Sequence, residues 1–125
     1  MRFSRKVMVF GTFDKLHKGH LNFFEQAKKY GKLVVVVARD KTVLEVKGRK
    51  PRNNEKKRLK KVRKYVDKAV LGMIKDKYKV IKKEKPDIIC LGYDQKNFVK
   101  GLKKFKVNIV RLNAYKAHKY KSSKL

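Results

Sequence analysis

The sequence predicts an α/β protein: a doubly wound, five-stranded parallel sheet in a single domain spanning residues 1–125. Three observations predict it. Short apolar runs alternate with amphipathic stretches, the pattern of parallel strands joined by crossover helices. The run from Leu33 to Ala38 is β-branched and uncharged, as a buried strand is. The first apolar run passes through a glycine-bearing loop into the first amphipathic stretch, a strand–loop–helix unit. The length suits one hydrophobic core.

The elements follow in order. Val7 to Phe10 is the first strand. Leu21, Phe24 and Ala27 recur every three residues, with Phe23 and Tyr30 flanking, so a core-facing helix covers Leu21 to Tyr30. Gly31 ends it, as glycine commonly does. Leu33 to Ala38 is the second strand, and Asp40 to Val46 a short helix or turn. Gly48 to Asn54 holds Gly, Pro and two Asn and is a loop. A helix spans Glu55 to Val66, with Leu59, Val62 and Val66 on one face. Ala69 to Leu71 is the third strand. A helix from Tyr78 to Lys85 is closed by Pro86, and Ile88 to Leu91 is the fourth strand. A short helix over Asn97 to Lys104 leads to the fifth strand, Asn108 to Leu112. In such a sheet ligands bind past the carboxyl ends of the strands, where the strand order reverses.

Charge and composition narrow the classes. The chain carries 38 basic against 10 acidic residues, a net charge of +28. Such a field attracts polyanions in a salt-dependent way. It fits either a nucleic-acid binder or an enzyme whose solvated faces are filled with lysine. The lysines run from end to end, including Lys82, Lys83 and Lys85 on an outer helix surface, which favours the second. ATP and phosphorylated substrates would be steered toward the site. Cys90, the only cysteine, lies in an apolar run and excludes a disulfide framework. A buried core thiol and a reducing cytoplasm are expected. No apolar run reaches the length of a membrane span, and no apolar stretch follows Arg2, Arg5 and Lys6 as it would in a secretory signal.

The chemistry concentrates in Gly11-Thr12-Phe13-Asp14-Lys15-Leu16-His17-Lys18-Gly19-His20. Two histidines three apart enter the start of a helix, whose free N–H groups and positive dipole end suit an anion. Two imidazoles aimed at one point suggest a triphosphate whose charge is stabilised during reaction. Asp14 is expected to orient the loop through side-chain-to-backbone hydrogen bonds.

Gly11-Thr12-Phe13-Asp14 followed by His17-x-Gly19-His20 resembles the HxGH signature of the nucleotidylyltransferase superfamily, a Rossmann-like group. It includes cytidylyltransferases, phosphopantetheine and nicotinamide-mononucleotide adenylyltransferases, and FAD synthases. The resemblance covers about residues 6–123. It implies that His17 and His20 serve the nucleotide phosphates as catalytic residues, and that Gly11, Thr12, Phe13, Lys18 and Gly19 belong to the nucleotide site. Superfamily members hold phosphate with basic residues after the second strand. Lys47 is the residue chosen here, with Arg49 and Lys50 behind it, set against a merely solvated charge run. The family also places an arginine near Lys57, and Arg58 takes that place.

Ala38-Arg39-Asp40-x-Thr42-Val43, continuing to Lys47-Gly48-Arg49-Lys50-Pro51, is similar to the archaeal type of FAD synthase. So is Lys85-Pro86-Asp87-Ile88-Ile89-x-Leu91-Gly92-x-Asp94-Gln95. That type transfers AMP from ATP to FMN, giving FAD and pyrophosphate. Asp94 is expected to accept hydrogen bonds from the nucleotide, to cap the next helix, or both. Tyr93 and Phe98 are candidates for a flavin slot by proximity to Asp94. Near the carboxyl end the family carries a hydroxyl-rich motif that closes on the β- and γ-phosphates. Tyr120, Ser122 and Ser123 stand there, with Lys121 near the first hydroxyl position. The Arg-Thr-Glu-Gly segment of cytidylyltransferases is replaced by Tyr115-Lys116-Ala117-His118-Lys119, which argues against CTP and glycerol phosphate. The sequence stops at Leu125 where the family continues into a helix, so the serines are expected to need ordering by a ligand or partner.

The resemblance further implies Mg²⁺ held through substrate phosphates, no fixed protein metal site, and a homodimer assembled against charge repulsion. The competing expectations are another nucleotidylyltransferase, such as a CTP-dependent glycerol-3-phosphate cytidylyltransferase, and a polyanion-binding protein on a degenerate scaffold.

Overall fold

Valine and isoleucine runs pair side by side into one parallel sheet. The computed structural model describes residues 5–73, 78–91 and 107–112. The strands are β1 (Lys6–Gly11), β2 (Lys32–Val37), β3 (Lys68–Leu71), β4 (Ile88–Leu91) and β5 (Asn108–Arg111), and the helices α1 (Lys18–Lys28), α2 (Asp40–Lys47), α3 (Glu55–Arg63) and α4 (Lys79–Glu84). The sheet order is β3-β2-β1-β4-β5, all parallel. The five predicted strands are therefore present, and the order reverses beside β1. The rule for doubly wound sheets places a ligand at that reversal, beyond the carboxyl ends of β1 and β4.

Strand alternation sorts the core into two layers. Val7, Val9, Leu33, Val35, Val37, Ile88 and Cys90 face one side, where Phe24 and Ala27 of α1 and Val62 of α3 cover them. Met8, Val34, Val36, Ile89 and Leu91 face the other, beneath Val80 and Ile81 of α4. With both faces covered, each central strand is apolar throughout, the reason these runs show no polar alternation. Cys90 is fully buried, and burial raises its thiol pKa to about 11, so it packs as a small hydrophobe.

Two helix boundaries differ from the sequence expectation by three residues, the others by two or fewer. α1 begins at Lys18, three residues before Leu21, because His17 caps it: its Nδ1 accepts from the Gly19 amide at 3.0 Å. An imidazole here does what Ser or Asp usually does. α3 ends at Arg63, not Val66. The amides of Lys64 and Tyr65 bond back three residues, to Lys61 and Val62, tightening the chain into a turn toward β3. α4 closes on Lys85, in the left-handed region at φ 49°, whose amide reaches the Ile81 carbonyl. The expected helix over Asn97–Lys104 lies outside the described residues.

The amino edge of the sheet is tied by acids. Asp87 accepts from the Lys6 amide at 2.8 Å and Asp67 from the Leu33 amide at 2.9 Å. Glu84, 5 % exposed, binds Lys68 Nζ at 3.0 Å and Lys6 Nζ at 3.5 Å, joining α4 to β3 and β1. Burial opposes its charge, but the Lys68 ammonium outweighs it and holds the carboxyl below its usual range. No helix among the described residues is long and apolar enough to cross a membrane.

Candidate active site

The loop between β1 and α1 leaves the sheet at the reversal point, and its geometry follows from one glycine. A Cβ on Gly11 would stand 2.6 Å from the Phe13 ring. Without it, the ring folds back under the loop and is 6 % exposed. Phe13 adopts φ 51°, an unusual left-handed conformation for a bulky residue. The conformation is held by the ring's packing on Phe24, at 5.2 Å between centroids, and edge-on against His20, at 5.3 Å and 79°. Phe13 therefore props His20. Gly11→Ala is expected to displace the ring, lower stability by about 1–3 kcal/mol in urea denaturation, and weaken nucleotide binding measured by calorimetry.

His17 and His20 are stacked, centroids 3.9 Å apart with an interplanar angle of 22°. His17 is exposed and His20 half-buried. Because His17 Nδ1 accepts from Gly19, the neutral ring carries its proton on Nε2 and offers a donor outward. Burial is the main cause that pushes the His20 pKa down to about 4, and the neighbouring His17 adds to it. The Lys15 carbonyl opposes the fall and the Lys47 charge deepens it. His20 is thus neutral at physiological pH, and the charge of Lys47, from the last turn of α2, reaches it.

The sign of the resulting pH dependence is definite. The unfolded chain protonates this imidazole near pH 6.5 and the folded protein near pH 4. Stability contributed by neutral His20 is complete above the first value and lost as pH falls toward the second. The urea midpoint is expected to decline through that window, and His20→Gln to flatten the decline. A parent midpoint flat over the window would contradict the assignment. Asp14 and Glu84, both lowered, act at more acidic pH, their contributions fading below the ordinary carboxylate range.

Two residues lock the surrounding loops. Asp14 accepts from the amides of Arg52 and Asn53 at 2.7 and 2.8 Å, and Asn53 Nδ2 donates to the Asp14 carbonyl at 2.6 Å. Burial raises its pKa, but the Asn53 and Arg52 amides and the Arg58 charge more than reverse that. The expected loop-orienting role thus acts on a loop distant in sequence.

Arg58 is wholly buried. Its guanidinium donates to the carbonyls of Thr12 at 2.9 Å, Ala38 at 2.8 Å and Asn53 at 3.0 Å, and to Asp40 Oδ1 at 2.6 Å. One side chain joins the loops after β1 and β2 to the start of α3. In the sequence the resemblance puts it in the place of the family's arginine near Lys57 but does not show that it is buried. The available signal is its spacing of four from Val62, which puts it on the inward face of α3.

Among the sequence-predicted residues, Gly11, Thr12, Phe13, His17, Lys18, Gly19 and His20 gather at the β1–α1 junction, and Lys47 approaches from α2. Arg49 and Lys50 are exposed beyond it. Arg39 of the same segment is committed elsewhere, donating to the Gly72 carbonyl at 2.8 Å and pairing with Glu55 at 3.0 Å. Asp94, Tyr120, Ser122 and Ser123, with Tyr93 and Phe98, lie outside the described residues. The described site can bind an anion through the α1 N-terminus, two imidazoles and one ammonium.

Residues 8–125 match the cytidylyltransferase-like family. The chain is 48 % identical over 119 residues to an FAD synthase of Aciduliprofundum boonei, covering 88 % of this chain and 79 % of that one. It is 46 % identical over 121 residues to an FAD synthase of Methanothermus fervidus, covering 87 % and 83 %. The crystal structure of a lipopolysaccharide core biosynthesis protein from Thermoplasma volcanium is 42 % identical, with a TM-score of 0.83 over 90 % of this chain and 99 % of that one.

Proposed function

Since the chain belongs to the cytidylyltransferase-like family, we propose that it is an FAD synthase, moving AMP from ATP to FMN. The observation that carries this reading is the 41–48 % identity to five archaeal proteins, each named FAD synthase. It is a nucleotidyltransferase, and its chemistry is that of phosphoryl positioning and charge stabilisation.

An oxygen of the FMN phosphate attacks the α-phosphorus of ATP in line. The bond from that phosphorus to the oxygen bridging the β-phosphate breaks, and pyrophosphate leaves with the electron pair. His17 donates from Nε2 to the phosphates. His20, stacked beneath it, fixes that ring. The α1 N-terminus and Lys47 add positive potential as the charge on the leaving group grows. Phe13, Asp14 and Arg58 hold these groups in place. No covalent intermediate is required.

Magnesium enters as an ion carried by the substrate. Among the described residues no group of three His, Cys, Asp or Glu side chains gathers. Cations and imidazoles at the site suit an ion held by phosphate oxygens and water. Bound there, it would neutralise phosphate charge during transfer. A reducing cytoplasm suits the buried thiol of Cys90.

The test is an assay with Mg²⁺ and either ATP plus FMN or CTP plus glycerol 3-phosphate, following dinucleotide and pyrophosphate. FAD from the first pair supports the reading. Product from the CTP pair alone keeps the nucleotidyltransferase and overturns the flavin substrate. No product from either, with salt-sensitive RNA binding that survives loss of His17 and His20, favours a degenerate scaffold.

A further inference from the structure

The outer face of α3 is a cationic ridge whose charges are unanswered by acids. Lys56, Lys57, Lys60, Lys61, Arg63 and Lys64 are all exposed, on the side opposite the buried Arg58 and Val62. None of them belongs to an ion pair among the described residues. The one acid of the helix, Glu55, is turned away: its carboxylate binds Arg39 and the Asp40 amide. Elsewhere exposed acids stand among the lysines: Lys28 of α1 pairs with Glu25 at 3.6 Å, and α2 carries the exposed Glu45.

This arrangement works against the helix that bears it. Lys56 and Lys60, Lys57 and Lys61, and Lys60 and Lys64 are like charges four residues apart, each pair destabilising. Lys56 and Lys57 also occupy the first turn, at the positive end of the helix dipole. A solvated face needs no such one-sided charge, since mixed signs serve solubility as well and support the helix.

The ridge ends at a groove between α1 and the turn after α3. Lys28, Lys64 and Tyr65 line this groove of about 390 Å³. Tyr65 is 42 % exposed. The two carboxylates there are already engaged, Glu25 with Lys28 and Asp67 with the Leu33 amide. A row of exposed cations leading to an exposed aromatic ring combines the two features that bind single-stranded nucleic acid: backbone neutralisation and base stacking.

We propose that the α3 ridge and the Tyr65 groove form a binding surface for single-stranded RNA, separate from the nucleotide site and independent of the FAD synthase reading. The whole-chain charge predicts only diffuse attraction; the proposal localises binding to one face.

The experiment is fluorescence anisotropy with a short labelled single-stranded RNA, titrated over a range of salt. One variant carries Lys56→Glu, Lys57→Glu, Lys60→Glu and Lys61→Glu. A control carries Lys79→Glu, Lys82→Glu, Lys83→Glu and Lys85→Glu, the same charge change on α4, across the sheet. Circular dichroism verifies that both fold. The α3 variant is expected to lose most affinity, with the slope of log K against log salt reduced by about 0.7 for each contacting lysine removed. The α4 control is expected to keep a slope close to the parent's. Tyr65→Ala is expected to weaken binding about tenfold without changing the slope. Equal losses in the two charge variants, or no binding by the parent at physiological salt, would overturn the proposal. A silent Tyr65→Ala together with preference for duplex RNA would overturn the assignment to single strands.

Discussion

Arg58→Ala is expected to destabilise the folded protein by about 3–5 kcal/mol, the range for breaking a buried charged network by removing one partner. The substitution strands three carbonyl oxygens, of Thr12, Ala38 and Asn53, and leaves Asp40 without its guanidinium. Each acceptor left without a donor costs about 1–3 kcal/mol, less where water enters the space. Arg58→Lys is expected to recover part of the stability, since an ammonium satisfies some acceptors but cannot reach four in the fork geometry of a guanidinium. Activity should fall in both variants, through kcat more than KM, because the loops Arg58 joins carry the β1–α1 junction and the start of α2. Lys47 sits at the far end of α2, so a shift at Asp40 moves it relative to the imidazoles. Urea denaturation and steady-state kinetics read the two effects. A parental midpoint for Arg58→Ala would contradict the role assigned to it.

His20→Ala is expected to lower the rate of pyrophosphate release about 10²-fold, the loss that follows when the ring that positions the His17 donor is removed. His17→Ala should cost a similar factor, and about 1 kcal/mol of stability besides, because His17 also caps α1. The double variant is expected to lose less than the product of the single losses. The stacked rings act as a unit, so once either is gone the other has lost its support. Fully multiplicative losses would mean that the two imidazoles act independently and that their stacking carries no function.

The strands were legible because continuous β-branched runs such as Leu33 to Val37 fit only a sheet covered on both faces. The β1–α1 junction was legible because glycine, two spaced histidines and a helix start are local in sequence. The start of α1 was legible only through the two histidines placed at a helix start, since the apolar period begins at Leu21 and imidazole capping by His17 follows no common pattern. The end of α3 was not legible: a local apolar period ran on through Val66 while the chain had already turned toward β3.

The sequence by itself therefore determined the fold class, the order of the strands along the chain, and the glycine- and histidine-bearing loop at the β1–α1 junction. These rest on interactions between neighbours in the chain and on the apolar pattern of each segment. Only the tertiary structure decided that, among the described basic residues, Arg58 is the buried one. Arg58 is worth burying only because carbonyls from residues 12, 38 and 53 and the carboxylate of Asp40 converge on one point. The neutrality of His20 was decided in the same way, by burial beside His17 and the approach of Lys47 from another helix. A lone cation and a lone imidazole look alike in a sequence; their protonation and partners are set by the groups that folding brings within hydrogen-bonding and electrostatic reach.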